Sequence, residues 1–204
     1  MTRGLLVVGV SHKKSAIKIG VLALQGAFER HQKVFLELSV EAIQVRTPAD
    51  LAKVDALVMP GGESTTMSQL LESSELFGPI SLRIKQGLPV FGTCAGMILL
   101  SKKILDGRDD QLSFDAIDID VQRNAYGRQI DSFEAEIEID SLDSPFNAVF
   151  IRAPRIVSLG PEVHALAYCG DDVVLAKQEN ILVASFHPEL ANDVRLHELF
   201  LKGV

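Results

Sequence analysis

The chain has 204 residues, 47% of them hydrophobic, and a formal net charge of −7. That is enough apolar material for one full core, and the absence of any Lys/Arg-rich run argues against nucleic acid as a partner, because phosphate binding needs concentrated positive charge. No apolar stretch reaches the ~18 residues of a membrane helix, and two cysteines, Cys94 and Cys169, are too few for a disulfide scaffold. A soluble cytoplasmic protein with no membrane association is expected.

Residues 1–17 read as an N-terminal extension without an assigned role, and residues 18–204 as one domain. The apolar run over 19–24 suits a buried parallel strand and ends at Gln25-Gly26. Phe28, Val34, Phe35 and Leu38 then share one face of a helix over 28–38. A second strand over 42–45 precedes Thr47-Pro48, a cap followed by proline at the first helical position. The strand over 56–59 runs into Pro60-Gly61-Gly62-Glu63-Ser64. Helices are predicted from near Thr65 and over 80–86, the latter stopped by Gly87. A strand over 89–91 leads to Cys94 and a helix to about Leu100. Such alternation predicts a three-layer α/β domain with a mostly parallel central sheet. After Asp106, segments 117–121 and 133–139 alternate apolar with polar, and 149–151, 165–168, 173–176 and 181–185 add short strands before a helix over 194–201. A small antiparallel extension is expected there.

Cys94 stands in Phe91-Gly92-Thr93-Cys94-Ala95-Gly96 at a predicted strand-to-helix turn. A nucleophile raised on so tight a turn needs neighbours without side chains, and the start of a helix favours thiolate over thiol. Cys169 lacks the glycine frame and reads as structural. His187 follows an apolar strand and so projects from the C-terminal edge of the sheet, where ligands bind in open α/β folds. Glu189, two residues on, can hold the imidazole in one tautomer. His31, His164 and His197 sit in polar or amphipathic segments, and His12 in the extension; all four are expected to face solvent. Gly61-Gly62 can offer backbone N–H groups to an oxyanion, with Ala95 supplying another. The plain alternative is a glycine turn capped by Ser64.

Gly92-Thr93-Cys94-Ala95-Gly96 and His187-Pro188-Glu189 resemble the corresponding segments of class I glutamine amidotransferases. Further blocks are similar to the branch that serves pyridoxal 5'-phosphate (vitamin B6) synthesis: 24–27, 60–67, 123–129, 131–134 and 150–154. Ile98 fits that branch, because several other amidotransferases carry Gln at this place. The resemblance implies a flavodoxin-like domain in which Cys94 is the nucleophile, His187 the general base and acid, and Glu189 its orienter. It further implies that Gly62, Glu63, Ser64, Arg123, Ile151 and Arg152 contact L-glutamine, and that Gly62 and Ala95 form the oxyanion hole. No metal or organic cofactor is implied. The expected partner is a TIM-barrel pyridoxal 5'-phosphate synthase subunit that receives the ammonia in a hetero-oligomer. The polar stretch 106–115 departs from the family pattern and receives no role. Three alternatives remain open on residues alone: the glutaminase of another synthase, such as imidazole glycerol phosphate synthase, a binding module that kept the fold, and another elbow-cysteine hydrolase.

Overall fold

Apolar side chains on both faces of the early strands feed two separate cores, and this forces helices onto both sides of one sheet. The structure, a computed structural model, describes residues 17–123 and 132–204. The extension up to residue 16 and most of the 123–129 block lie outside the described residues. In chain order the first half contains β1 (Lys18–Leu22), α1 (Phe28–Glu37), β2 (Glu41–Val45), α2 (Pro48–Leu51) and β3 (Ala56–Met59). Then come α3 (Ser64–Ser73), α4 (Phe77–Lys85), β4 (Val90–Thr93) and α5 (Ala95–Leu100). The second half holds β5 (Ser101–Ile104), β6 (Ile117–Gln122), β7 (Ser132–Ile137), β8 (Phe146–Ile151) and β9 (Arg155–Leu159). It ends with β10 (His164–Cys169), β11 (Asp172–Gln178), β12 (Ile181–Ala184), a 3-10 turn (Pro188–Leu190) and α6 (Arg195–Leu201).

The central sheet has seven strands in the order β10-β11-β12-β4-β3-β1-β2. The five from β12 to β2 are parallel, and β10 and β11 run antiparallel at one edge. Period-two alternation sorts their side chains. Leu57, Met59, Ile181 and Val183 join the core beneath α3, α4 and α5, whereas Ala56, Val58, Leu182 and Ala184 join the one beneath α1 and α6. Thr47 caps α2 as expected, its side chain accepting the Asp50 N–H, with Pro48 at the first position.

The antiparallel part is divided. β5, β6 and β9 form a three-stranded sheet, and β7 and β8 form a separate hairpin. The segments 165–168 and 173–176 belong to the edge of the main sheet, an allocation that alternation alone does not specify. The strand expected over 133–139 stops at Ile137, and Ile139 makes an isolated bridge to Ala167. β5 and β9 escape sequence reading because neither has a buried face to give it a period: Ser101-Lys102-Lys103-Ile104 buries one residue, and so does β9, at Ile156. The helix expected over 80–86 begins earlier, at Phe77, whose ring stacks on Phe114. Among the described residues no helix is long and apolar enough to cross a membrane.

Two of the four histidines expected at the surface are instead fully buried. His31 shares the inner face of α1 with Val34 and Phe35, and His197 shares that of α6 with Leu196 and Phe200. His164 is exposed, and His12 lies outside the described residues.

Candidate active site

The parallel order of the sheet brings the C-terminal ends of β3, β4 and β12 side by side, and each delivers one part of the site. Cys94 leaves β4 with φ +48° and ψ −104°, a left-handed conformation that costs a non-glycine residue on the order of 1–3 kcal/mol. The surroundings hold it there: its N–H donates to the Ala184 carbonyl at 2.8 Å, and its own carbonyl accepts from Ile98 N–H at 3.2 Å. The glycine frame is steric in origin. A Cβ on Gly96 would lie 2.0 Å from the Met59 carbonyl oxygen, and one on Gly92 would lie 2.8 Å from the Gly96 backbone. Without those glycines α5 cannot approach the sheet closely enough to aim the thiol.

His187 comes off β12 and is fixed by its backbone N–H, which donates to Val149 at 2.8 Å. The 3-10 turn that follows folds Glu189 back, so that Nδ1 of His187 lies 2.8 Å from Glu189 Oε1. All three side chains are buried: Cys94 is 6%, His187 8% and Glu189 6% exposed. Burial opposes a charge on His187, yet hydrogen bonding and charge attraction from Cys94 and Glu189 outweigh it and raise its pKa to about 10. Burial likewise opposes ionisation of Glu189, but the His31 and His187 imidazoles beside it hold its carboxyl below the ordinary range. An imidazole that keeps its proton beside a thiol is equipped to donate that proton to a leaving group.

Cys94 and His187 open into a cleft of about 280 Å³. Its walls carry Gly62, Glu63, Ser64, Arg123, Ile151 and Arg152, all six of the residues expected to contact substrate. Glu189 lies behind His187, and Ala95 begins α5, where helix geometry leaves its N–H unused by the helix. A Cβ on Gly61 would stand 2.3 Å from Cε1 of His187, and one on Gly62 would stand 2.5 Å from Oε1 of Gln25, whose side chain would have to shift. The plain alternative, a glycine turn capped by Ser64, is not what the structure has. Glu63 is the cap, its carboxylate accepting the N–H groups of Thr65 at 3.0 Å and Thr66 at 2.6 Å. Ser64 instead accepts a hydrogen bond from Gln111 Nε2 at 3.0 Å.

Arg123 reaches the cleft under firm control. One guanidinium nitrogen donates to Thr65 Oγ1 and to Gln111 Oε1, both at 2.8 Å. Gln111 therefore ties Arg123 to Ser64, which gives structural purpose to the stretch 106–115 that the sequence left without one. Nothing in the pattern marks it, because the link spans 47 residues to Ser64. Gln25 is likewise part of the wall, and its Oε1 accepts the Glu63 N–H at 3.0 Å. His31 had a legible sign, its helical spacing with Val34 and Phe35. Among the described residues no cluster of three or more His, Cys, Asp or Glu side chains could hold a metal ion.

A search of solved structures finds a glutamine amidotransferase that superposes with a TM-score of 0.86 at 44% identity, over 90% of this chain and 97% of the other. The structure of PurLQS from Thermotoga maritima, at 13% identity and a TM-score of 0.65, shares the fold. Among curated proteins, the pyridoxal 5'-phosphate synthase subunit PdxT of Thermosipho africanus is 52% identical over 188 residues, 92% of this chain and 99% of the relative. The PdxT subunit of Pyrococcus horikoshii is 49% identical over 195 residues, covering 92% of this chain and all of the relative. A family profile matches residues 21–204, nearly the whole domain, and by that match the chain belongs to the SNO glutamine amidotransferase family.

Proposed function

We propose that the chain is the glutaminase subunit of a pyridoxal 5'-phosphate synthase, hydrolysing L-glutamine to L-glutamate and ammonia. The observation that carries this reading is a cleft lined by Cys94, His187, Arg123 and Arg152, with Glu189 behind His187 and bonded to it. The names of the PdxT relatives support the choice of pathway. Two arginines suit the carboxylate of an amino acid.

The chemistry follows from the geometry. Cys94 Sγ attacks the side-chain amide carbon, and the negative charge moves to the amide oxygen, facing the N–H groups of Ala95 and the Gly61-Gly62 turn. His187, which holds its proton well above neutral pH, gives it to the departing nitrogen, and ammonia leaves. A water then attacks the thioester while His187 takes one of its protons. The C–S bond breaks, the Cys94 thiolate is restored beside the reprotonated His187, and glutamate is released. Glu189 holds the imidazole in the orientation both steps require.

Ammonia released into bulk water is protonated and lost as a nucleophile. A tight complex with a TIM-barrel synthase subunit, which consumes it directly, is accordingly part of the proposal. Reconstitution with that subunit tests the reading. Cys94→Ala should yield no pyridoxal phosphate from glutamine and normal amounts from an ammonium salt at mildly alkaline pH. If ammonium fails to rescue the variant while the wild-type complex uses it, the assignment of Cys94 to ammonia release is wrong.

A further inference from the structure

Behind the Cys94–His187–Glu189 line the buried chain of polar groups continues. Oε1 of Glu189 receives His187, but Oε2 is buried without a hydrogen-bond partner. Nε2 of His31 stands 3.3 Å from that oxygen, and both side chains are fully inaccessible. The same Nε2 lies 3.3 Å from Thr93 Oγ1, on the residue just before Cys94. On the far side of the ring, Nδ1 of His31 is 2.9 Å from Nε2 of His197. His197 is wedged edge-on against Phe35 and Phe91, and its Nδ1 has no partner.

These contacts select one arrangement of protons. If His31 carried its proton on Nδ1, that proton would go to His197, and His197 would bury an unpaired N–H. The bare lone pair of His31 Nε2 would then face the lone pairs of a carboxylate. With the protons on both Nε2 atoms, His197 donates to His31, and His31 donates to Thr93 while its N–H end stands 3.3 Å from Glu189 Oε2. The atoms left over, Nδ1 of His197 and Oε2 of Glu189, are both acceptors, and no buried donor is orphaned. An orphaned buried donor is costly, so the second arrangement prevails. Burial disfavours a charge on His31, and on His197 more strongly, so both act as neutral imidazoles.

We propose that His31 is a positioning residue for the reaction: as the Nε2–H tautomer, set by His197, it holds the second oxygen of Glu189 and thereby the plane in which Glu189 presents Oε1 to His187. The assignment rests on the glutaminase reading above. Glu189 would be gripped from both sides, by a helix packed on one face of the sheet and by its own triad partner. A carboxylate held by one oxygen can rotate, and His187 would rotate with it.

The test uses the full chain with the synthase subunit present. Nitrogen-15 NMR of the wild-type imidazoles should find His31 protonated on Nε2, bare on Nδ1 and uncharged at neutral pH. His31→Leu and His31→Asn, the latter reaching only the Nδ1 position, should lower kcat by roughly tenfold or more with KM nearly unchanged. His31→Gln, whose amide nitrogen falls near the lost Nε2, should recover most of kcat even where its melting temperature matches that of His31→Leu. Full kcat in His31→Leu, equal losses in the Gln and Leu variants, or an Nδ1-protonated or charged His31 in the wild type would each overturn the proposal. Should His31→Leu not fold, the NMR result decides alone. Cys94→Ala is run alongside: if it still hydrolyses glutamine, the glutaminase reading itself has failed.

Discussion

Replacing Glu189 by Gln removes one charge and almost no volume, which isolates the electrostatic support of His187. The imidazole keeps its proton to about pH 10 because Cys94 and Glu189 outweigh the cost of burial. A charge-assisted hydrogen bond such as the 2.8 Å contact between Nδ1 and Oε1 contributes about 1.5–3 kcal/mol, and one pH unit corresponds to about 1.4 kcal/mol. Its conversion to a neutral bond should bring the His187 pKa down by about one to two pH units, to roughly 8–9. Two readouts follow. In glutamine hydrolysis, kcat/KM of the wild type should hold up to the alkaline side and fall as pH passes about 10, whereas the variant should fall one to two pH units earlier. In thermal unfolding, a group whose pKa is raised in the folded state stabilises fully below its ordinary value of 6.5 and loses that contribution as pH rises through the folded value. The loss should begin near pH 6.5 in both proteins, but in the variant it should be smaller and end one to two pH units earlier. An unmoved alkaline limb in Glu189→Gln would refute the claim that Glu189 supports the charge on His187.

Two further outcomes are expected. Gly61→Ala should cost at least roughly a hundredfold in activity and about 1–3 kcal/mol in stability, because its Cβ would displace the His187 ring; Gly78→Ala, in α4 with open space around it, should be neutral or stabilising in the same denaturation assay. Cys169→Ala should retain activity and labelling by a glutamine-analogue electrophile, since β10 is the far edge of the sheet, three strands from β4; equal loss of labelling in Cys169→Ala and Cys94→Ala would contradict the choice of nucleophile.

Much of the site was legible because its parts are local. The glycines around Cys94 are dictated by a close approach of helix and sheet, and His187 and Glu189 lie two residues apart, so each fragment carries its own signature. The central strands were legible for a similar reason: Ala56–Met59 and Ile181–Ala184 are buried on both faces and read as unbroken apolar runs. What the sequence concealed depends on long-range pairing. Gln111 acts through Ser64 and Arg123, and β9 is a mostly exposed strand defined by its partner β6. The burial of His31 and His197 was misread because histidine is treated as polar wherever it appears. In fact each supplies the other with a buried hydrogen-bond partner, Nδ1 of His31 lying 2.9 Å from Nε2 of His197.

The order of strands has a bearing on how the molecule assembles. β12 is the last strand made, yet it lies at the middle of the sheet, zipped to β11 on one side and to β4 on the other. Until it inserts, the β10–β11 ribbon and the block β4-β3-β1-β2 share no ladder among the described residues. The segment that closes this seam also brings His187 and Glu189, so Cys94 gains its proposed base in the same event that completes the sheet. A growing chain thus presents the cysteine some ninety residues before its two proposed partners, and the proposed triad and architectural closure arrive together.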